Sequence, residues 1–189
     1  MNLFSLYAEI AAGIRSYREI SNLRCPKGCG KCCDKADIEV TRSEAEFIAS
    51  YILQEIPELE GELPRRIADK RADLDSKACI FYDPGSDEHC RIYPARPLVC
   101  RAFGDSGFKD KTGGVYFEVC PHMTGADRFM AGGGIVKVLF NPKPPILSDF
   151  EDLISLHAEG RTSKRPIGEA VFTAFLEVRS KPKIQTTKG

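Results

Sequence analysis

The sequence predicts an α+β fold: a mostly helical single domain with a few short strands, organised around a polycysteine metal centre. Three observations carry that expectation. Apolar residues recur at helical spacing in several stretches, one short run after Gly113-Gly114 alternates instead, and eight cysteines fall in a chain of 189 residues. Spacings of three and four lay apolar side chains on one helix face, whereas strict alternation marks a half-buried strand. A chain of this length has room for one core plus one appendage.

Taken in order, Leu3, Tyr7, Ile10, Ile14 and Tyr17 form one apolar stripe, which makes residues 2–20 a packing helix. Thr41-Arg42-Ser43-Glu44 fits a capping box, in which the Thr hydroxyl and the Glu carboxylate satisfy the orphan amides of a helix start. That helix should run to about Glu55, before Pro57, with Phe47, Ile48, Tyr51 and Ile52 inward. Pro64, read as a first-turn residue, opens a second helix carrying Ile67 and Leu74. The turn residues Asp83-Pro84-Gly85-Ser86 fold the chain back between two short extended arms. Pro94 and Pro97 bias Tyr93 and Arg96 toward extended backbone, and Pro97 can then start a short helix holding Cys100.

Val115, Phe117 and Val119 alternate with Tyr116, Glu118 and Cys120, a strand that delivers the last cysteine. Gly132-Gly133-Gly134 is read as a flexible turn after a short helix, since no strand–glycine–helix pattern of the nucleotide-binding type surrounds it. Residues 135–140 form a short strand, and 141–145 a connector. Ser148-Asp149-Phe150-Glu151 starts a helix with Leu153, Ile154 and Leu156 inside, ending before Gly160. The last helix, 167–178, turns Ala170, Val171, Ala174, Phe175 and Val178 to one side. The expected organisation is an N-terminal packing helix in 1–24, a cysteine-cluster metal-binding domain over 25–122, a C-terminal helical extension packed on it over 123–179, and a disordered tail at 180–189.

The densest chemistry is Cys25-Pro26-Lys27-Gly28-Cys29-Gly30-Lys31-Cys32-Cys33. Glycine reaches backbone angles closed to other residues, so this loop can turn several sulfurs toward one point. With Cys79, Cys90, Cys100 and Cys120 the candidate metal ligands number eight. Four thiolates close a zinc site or hold a cubane iron–sulfur cluster, so eight suffice for two mononuclear centres or one polynuclear centre. Adjacent residues point in different directions, so Cys32 and Cys33 should not bind one ion in the same way. One of them serves a second metal, bridges, or stays a free thiol.

The spacing of Cys25, Cys29 and Cys32 is also that of the radical S-adenosylmethionine enzymes. Those enzymes need a large partial barrel of strand–helix units, and capped helices follow here instead. A zinc ribbon needs two Cys-x-x-Cys knuckles, and only Cys29 to Cys32 is one.

Lys and Arg number 27, as do Asp and Glu, so the balance supplies no electrostatic argument for nucleic acid or an anionic membrane. No basic leader precedes an apolar run, and no stretch approaches roughly 18 apolar residues. The expectation is a cytoplasmic protein with no nucleic-acid partner and no membrane association, in which cysteines ligate metal rather than pair as disulfides.

Beyond the cysteines, His89 and His122 sit next to Cys90 and Cys120 and could replace a thiolate, though a neighbour of a ligand usually points away from it. His157, in the middle of a predicted helix, has no special role. Arg91, Arg96 and Arg101 with Lys27 and Lys31 put five cations beside the sulfurs, where they can offset thiolate charge; both lysines read as solvated surface. Tyr93 is expected to pack under the site.

Four blocks occur together: Cys-x-x-x-Cys-x-x-Cys-Cys at 25–33, Cys79-Ile-Phe-Tyr, Cys90-x-Ile-Tyr-x-x-Arg-Pro-x-x-Cys100-Arg-x-Phe, and Cys120. In this order they resemble the YkgJ-like cysteine-cluster family, a zinc- or iron-chelating domain, over about residues 25–122. Cys79-Ile-Phe-Tyr departs from that family's more usual Cys-Pro-Phe-Leu but keeps the cysteine and the aromatic. The resemblance implies Zn2+ or an iron–sulfur cluster held by the eight matching cysteines. A distantly similar pattern in flagellin lysine methylases is one enzymatic precedent, with S-adenosylmethionine as methyl donor. Three roles stay open: a metal-binding protein whose centre is structural or redox-active and meets an unidentified protein partner, an iron–sulfur enzyme of methyl transfer, and a metal store or chaperone. No catalytic or cosubstrate residue is assigned.

Overall fold

The computed structural model describes residues 3–34, 37–73, 75–130, 135–138, 143–157 and 163–180. Its order is α1 (Leu3–Ser21), β1 (Glu39–Val40), α2 (Arg42–Glu55), α3 (Glu58–Ala72), a 3-10 turn (Tyr93–Ala95), α4 (Leu98–Ala102), β2 (Gly107–Lys109), β3 (Val115–Glu118), α5 (Asp127–Met130), β4 (Ile135–Lys137), α6 (Leu147–His157), β5 (Arg165–Pro166) and α7 (Ile167–Ser180). The fold is α+β and mostly helical, as the periodicities predict.

Three apolar clusters organise it. The largest joins Ile48 and Ile52 of α2, Leu59 and Leu63 of α3, and Val171 and Phe175 of α7 around Phe81 and Ile92. In the second, the inward residues Val115 and Phe117 of β3 meet Tyr17, Leu23 and Met123. A third sets Leu6, Tyr7, Ile10 and Ile14 of α1 against Leu98 and Ala102 of α4 and Ile154 of α6.

Strands β2, β3 and β4 form an antiparallel sheet with β3 central, Phe117 lying opposite Gly107 on one side and Val136 on the other. A two-stranded ribbon pairs Glu39 with Pro166 and Val40 with Arg165, closing the chain's C-terminal part onto the start of α2.

The capping box at Thr41 forms in full. The Pro64 expectation fails: α3 starts six residues earlier, after Pro57, and Pro64 lies inside it. Burying Leu59 and Leu63 completely outweighs the one backbone hydrogen bond that proline removes. Leu74 lies outside the described residues. The extended arms around 83–86 shrink to a single antiparallel bridge between Tyr82 and Cys90. Arg96 is extended as expected (φ −53°, ψ 140°), but Tyr93 is helical, because successive turn hydrogen bonds from Tyr93, Ala95 and Arg96 bury Ile92 and Ala95. Helix α6 begins one residue before Ser148, and α7 starts at Ile167 as its stripe predicts. The triple glycine, positions 139 and 140 of the expected strand, positions 141 and 142 of the connector, Gly160 and residues 181–189 fall outside the described residues.

Candidate metal centre

Four segments wall a cavity of about 460 Å³: one face of α1, the loop 25–33, the stretch from Glu88 to Asp105, and the turn at 120–123. Seven of the eight cysteines line it, Cys79 being the exception. Cys79 faces a separate cavity of about 400 Å³ beside Ile38, Lys70 and Ile167. All eight are free thiols. They gather without closing: among the described residues, no three His, Cys, Asp or Glu side chains stand where they could hold a metal ion.

Gly28 and Gly30 take the left-handed angles that the loop requires (φ 65° and 59°). A side chain at Gly30 would put its Cβ 2.7 Å from that of His89, and one at Gly28 would meet the Asp87 carbonyl at 2.8 Å. The loop therefore lies directly on the 83–89 turn, whose last residue, His89, is itself left-handed at φ 51°. His89 does not line the cavity, and its buried Nδ1 has no partner among the described residues. His122 does line it and is exposed. The side chain of His157 lies outside the described residues, and its backbone ends α6 rather than standing mid-helix.

Electrostatics link the sulfurs in a chain. Cys32 Sγ lies 3.9 Å from Cys33 Sγ. Its hydrogen bond to Cys33 and its burial push the Cys32 thiol up. Cys33 is bonded in turn to Cys90, and that bond, against the cost of burial, holds the Cys90 thiol below its usual value. Burial raises Cys25, carries Cys79 to about 11, and raises Cys100, whose charge would also feel Cys79 and Cys33. Of these buried thiols, Cys90 alone is shifted toward ionisation. The Arg96 guanidinium acts against the rise at Cys32 and Cys100, and Arg18 against that at Cys25.

Arg96 stacks 3.6 Å above the Tyr93 ring and donates to the Tyr93 carbonyl. Tyr93 is 37% exposed at the cavity mouth, so it does not pack under the site; its helical turn swings the ring outward. Arg101 donates to the carbonyls of Arg96 and Pro94 and lies 4.2 Å over the Tyr7 ring. Arg91 is not beside the sulfurs: it pairs with Glu58 and Glu62 on α3. Lys27 and Lys31 are exposed at the rim, as expected of solvated cations.

Sequence reasoning missed the roles of Arg18 and Asp105 in the wall and the wider reach of Glu44 behind it. Asp105, only 2% exposed, accepts two hydrogen bonds from Arg18 at 2.8 and 2.5 Å, tying α1 to the end of the Cys100 segment. Glu44, 4% exposed, does far more than cap its own helix. Besides Thr41, it accepts from the Leu98 amide at 2.8 Å, the first orphan donor of α4, and from the Tyr7 hydroxyl at 3.2 Å. One carboxylate therefore joins α1, α2 and the helix that carries Cys100. The capping-box pattern located Glu44 but held no signal of its distant partners.

The donor set suits soft, thiophilic metals, and cations lie close enough to offset the negative charge of bound thiolates. Fold and site together define a thiol-rich metal-chelating domain. Residues 24–121 match the CxxCxxCC family model, described as "Putative zinc- or iron-chelating domain", and the chain belongs to that family. No curated protein and no solved structure matches it. Among the described residues, no helix is long and apolar enough to cross a membrane.

Proposed function

We propose that the chain is a cytoplasmic metal-binding protein that holds zinc or an iron–sulfur cluster through its cysteines, with residues 25–122 as the metal-binding unit and the flanking helices packed on it. The observation that carries this reading is the shared wall: thiols up to 95 positions apart in sequence, Cys25 and Cys120, line one cavity. Free thiols in such number suit a reducing compartment. Zero formal charge supports a partner other than nucleic acid.

Purification without oxygen, followed by metal analysis, acid-labile sulfide and a visible spectrum on one sample, tests the reading. Colourless protein with zinc, or brown protein with iron and sulfide in near-equal amounts, supports it and chooses between the two metals. Protein that carries neither metal, and takes up neither on reconstitution, refutes it.

One observation favours an enzymatic role for the same centre. At about 460 Å³ the cavity falls within the size range of small-ligand pockets, roughly 300–1,000 Å³. Exposed Tyr93 and Phe103 line its mouth. Titration calorimetry of S-adenosylmethionine into the holoprotein tests the methyl-transfer form of this role, and absence of binding heat removes it.

A further inference from the structure

The chain carries bases and acids in equal number, 27 of each, but the cysteine cavity draws on them unequally. Six of its lining residues are cationic, Arg15, Arg18, Lys27, Lys31, Arg96 and Arg101, and only two, Glu88 and Asp105, are acidic. The rest of the chain is correspondingly acidic, and the positive excess sits where the thiols gather. A recess lined by one sign of charge focuses its field on whatever approaches.

Two of the six are already engaged. Arg18 is paired with Asp105, and Arg101 donates to the carbonyls of Arg96 and Pro94. Arg15, Lys27, Lys31 and Arg96 have no carboxylate partner among the described residues. Around α2, α3 and α7 the pattern is the reverse: Arg42, Arg71, Arg91 and Arg179 are paired with Glu177, Glu169, Glu58 and Glu60. Arg15, Lys27 and Lys31 are also exposed, so water screens their pull on the thiols and leaves them to a ligand from solution.

Arg96 is the best prepared of the four. Its Nε donates to the Tyr93 carbonyl and its guanidinium lies 3.6 Å from the ring centre, so the fork is fixed while both terminal nitrogens have no hydrogen-bond partner among the described residues. A planar fork held in this way suits a carboxylate received through two parallel bonds. Tyr93 and Phe103, both exposed, line the same cavity. Arginine and aromatic rings at the contact, with further charge around them, is the composition of protein interfaces. The four cations come from three different walls, α1, the 25–33 loop and the stretch after the 3-10 turn, rather than from one backbone turn as in a phosphate cradle. They form no stripe along one element, and a chain of zero formal charge lacks the broad basic footprint of a nucleic-acid binder.

We infer that the mouth of the cysteine cavity is a docking surface for an acidic segment of a partner protein. A carboxylate of that segment sits on the Arg96 fork, Arg15, Lys27 and Lys31 draw in the rest, and Tyr93 and Phe103 supply the apolar contact. The inference deepens the metal-binding reading by naming the chemistry of the partner, and it rests on that reading only for what the partner meets inside the cavity.

The full-length holoprotein, isotope-labelled for NMR and titrated with a short synthetic peptide of alternating glutamate and aspartate around one phenylalanine, tests this. Saturable shifts confined to the mouth, at residues 15, 27, 31, 93, 96 and 103, are expected, with affinity falling about tenfold between about 50 and about 300 mM salt. The same peptide with glutamine and asparagine for its acids should not bind. Lys27→Glu combined with Lys31→Glu should abolish binding, and Arg96→Lys, which keeps the charge without the fork, should weaken it about tenfold. Lys111→Glu, exposed in the turn between β2 and β3 and outside the cavity, should bind as wild type does. Shifts scattered over the surface, an affinity indifferent to salt, or wild-type binding by the Lys27 and Lys31 double variant overturns the docking surface. Equal shifts at the mouth from oligouridylate or inorganic phosphate overturn the assignment to a protein partner. Metal content of the same samples keeps the two readings apart: metal retained without peptide binding removes the docking surface alone, and peptide bound by protein that takes up no metal removes the metal centre alone. The wild-type titration and its salt dependence decide the matter should a variant fail to fold.

Discussion

Two regions of this molecule are ordered by different physics. Around α2, α3 and α7, buried apolar residues close on one another, a complete capping box starts α2, and the ion pairs Arg42–Glu177 and Arg179–Glu60 join the helices at the surface. Around the cysteine cavity, order comes from turns, left-handed glycines, arginines on carbonyls and half-buried thiols. Regions of the first kind draw most of their stability from apolar area. The loop at 25–33 buries none of its residues fully, and its remaining stabilisation has to come from whatever the thiols bind.

Removing the metal should separate the two regions most sharply. Structural zinc contributes about 10–16 kcal/mol in small modules, so a chelator should strip amide-exchange protection from residues 25–33 while α2 and α7 stay protected. An exchange map and a circular dichroism melt both unchanged by chelation would end the comparison. The raised thiols of Cys25, Cys32, Cys79 and Cys100 must lose protons to bind, so protons compete with metal. Affinity should therefore rise from about pH 6 to about pH 8 in a chelator competition, and a flat profile would show that these thiols are not ligands.

Phe175→Ala comes next. Its ring is 2% exposed in the apolar cluster, and the cavity left should cost about 3–5 kcal/mol in urea unfolding. Metal content per folded molecule should stay at the wild-type value; a parallel loss of metal would mean that the regions are not separable.

Glu44→Ala addresses the connector. It leaves the Thr41 and Leu98 amides and the Tyr7 hydroxyl without their acceptor, a loss of about 3 kcal/mol. Unlike Phe175→Ala, it should lower both the urea midpoint and metal affinity, because the helix holding Cys100 loses its first hydrogen bond. An effect on the midpoint alone would assign Glu44 to α2 only.

Gly30→Ala should act within the cysteine region. A left-handed non-glycine costs about 1–2 kcal/mol, and the added methyl meets His89. Roughly tenfold weaker metal binding with little change in the urea midpoint is expected. Wild-type affinity in this variant would show that the loop's seat on His89 is unimportant.

The same contrast explains what the sequence let one read. Periodic helices were legible because burial writes itself as a repeat: Tyr7, Ile10, Ile14 and Tyr17 in α1, and Ala170, Val171, Ala174 and Phe175 in α7. The β3 alternation and the capping box are equally local signals. Family membership and the cavity's cysteines were legible from residue type and spacing alone. Pairings between distant residues were not. Nothing near Asp105 announces Arg18, 87 positions away, and nothing near Leu98 announces Glu44. The start of α3 was misjudged because two prolines competed for it and only the burial of Leu59 and Leu63 decides between them. Strand β2, at three residues, is too short to carry a pattern and forms only against β3.

The bond between Glu44 and the Leu98 amide also bears on how the chain is made. Helix α4 has five residues, far below the roughly 12–15 at which a helix persists unaided, so it forms against a carboxylate synthesised 54 residues earlier. A chain emerging from its N-terminus exposes four thiols at 25–33 well before Cys79, Cys90, Cys100 and Cys120 exist to share the work. During that interval those four thiols stand without the partners that later share their cavity wall. Assembly is thus a matter of timing as well as of ligands.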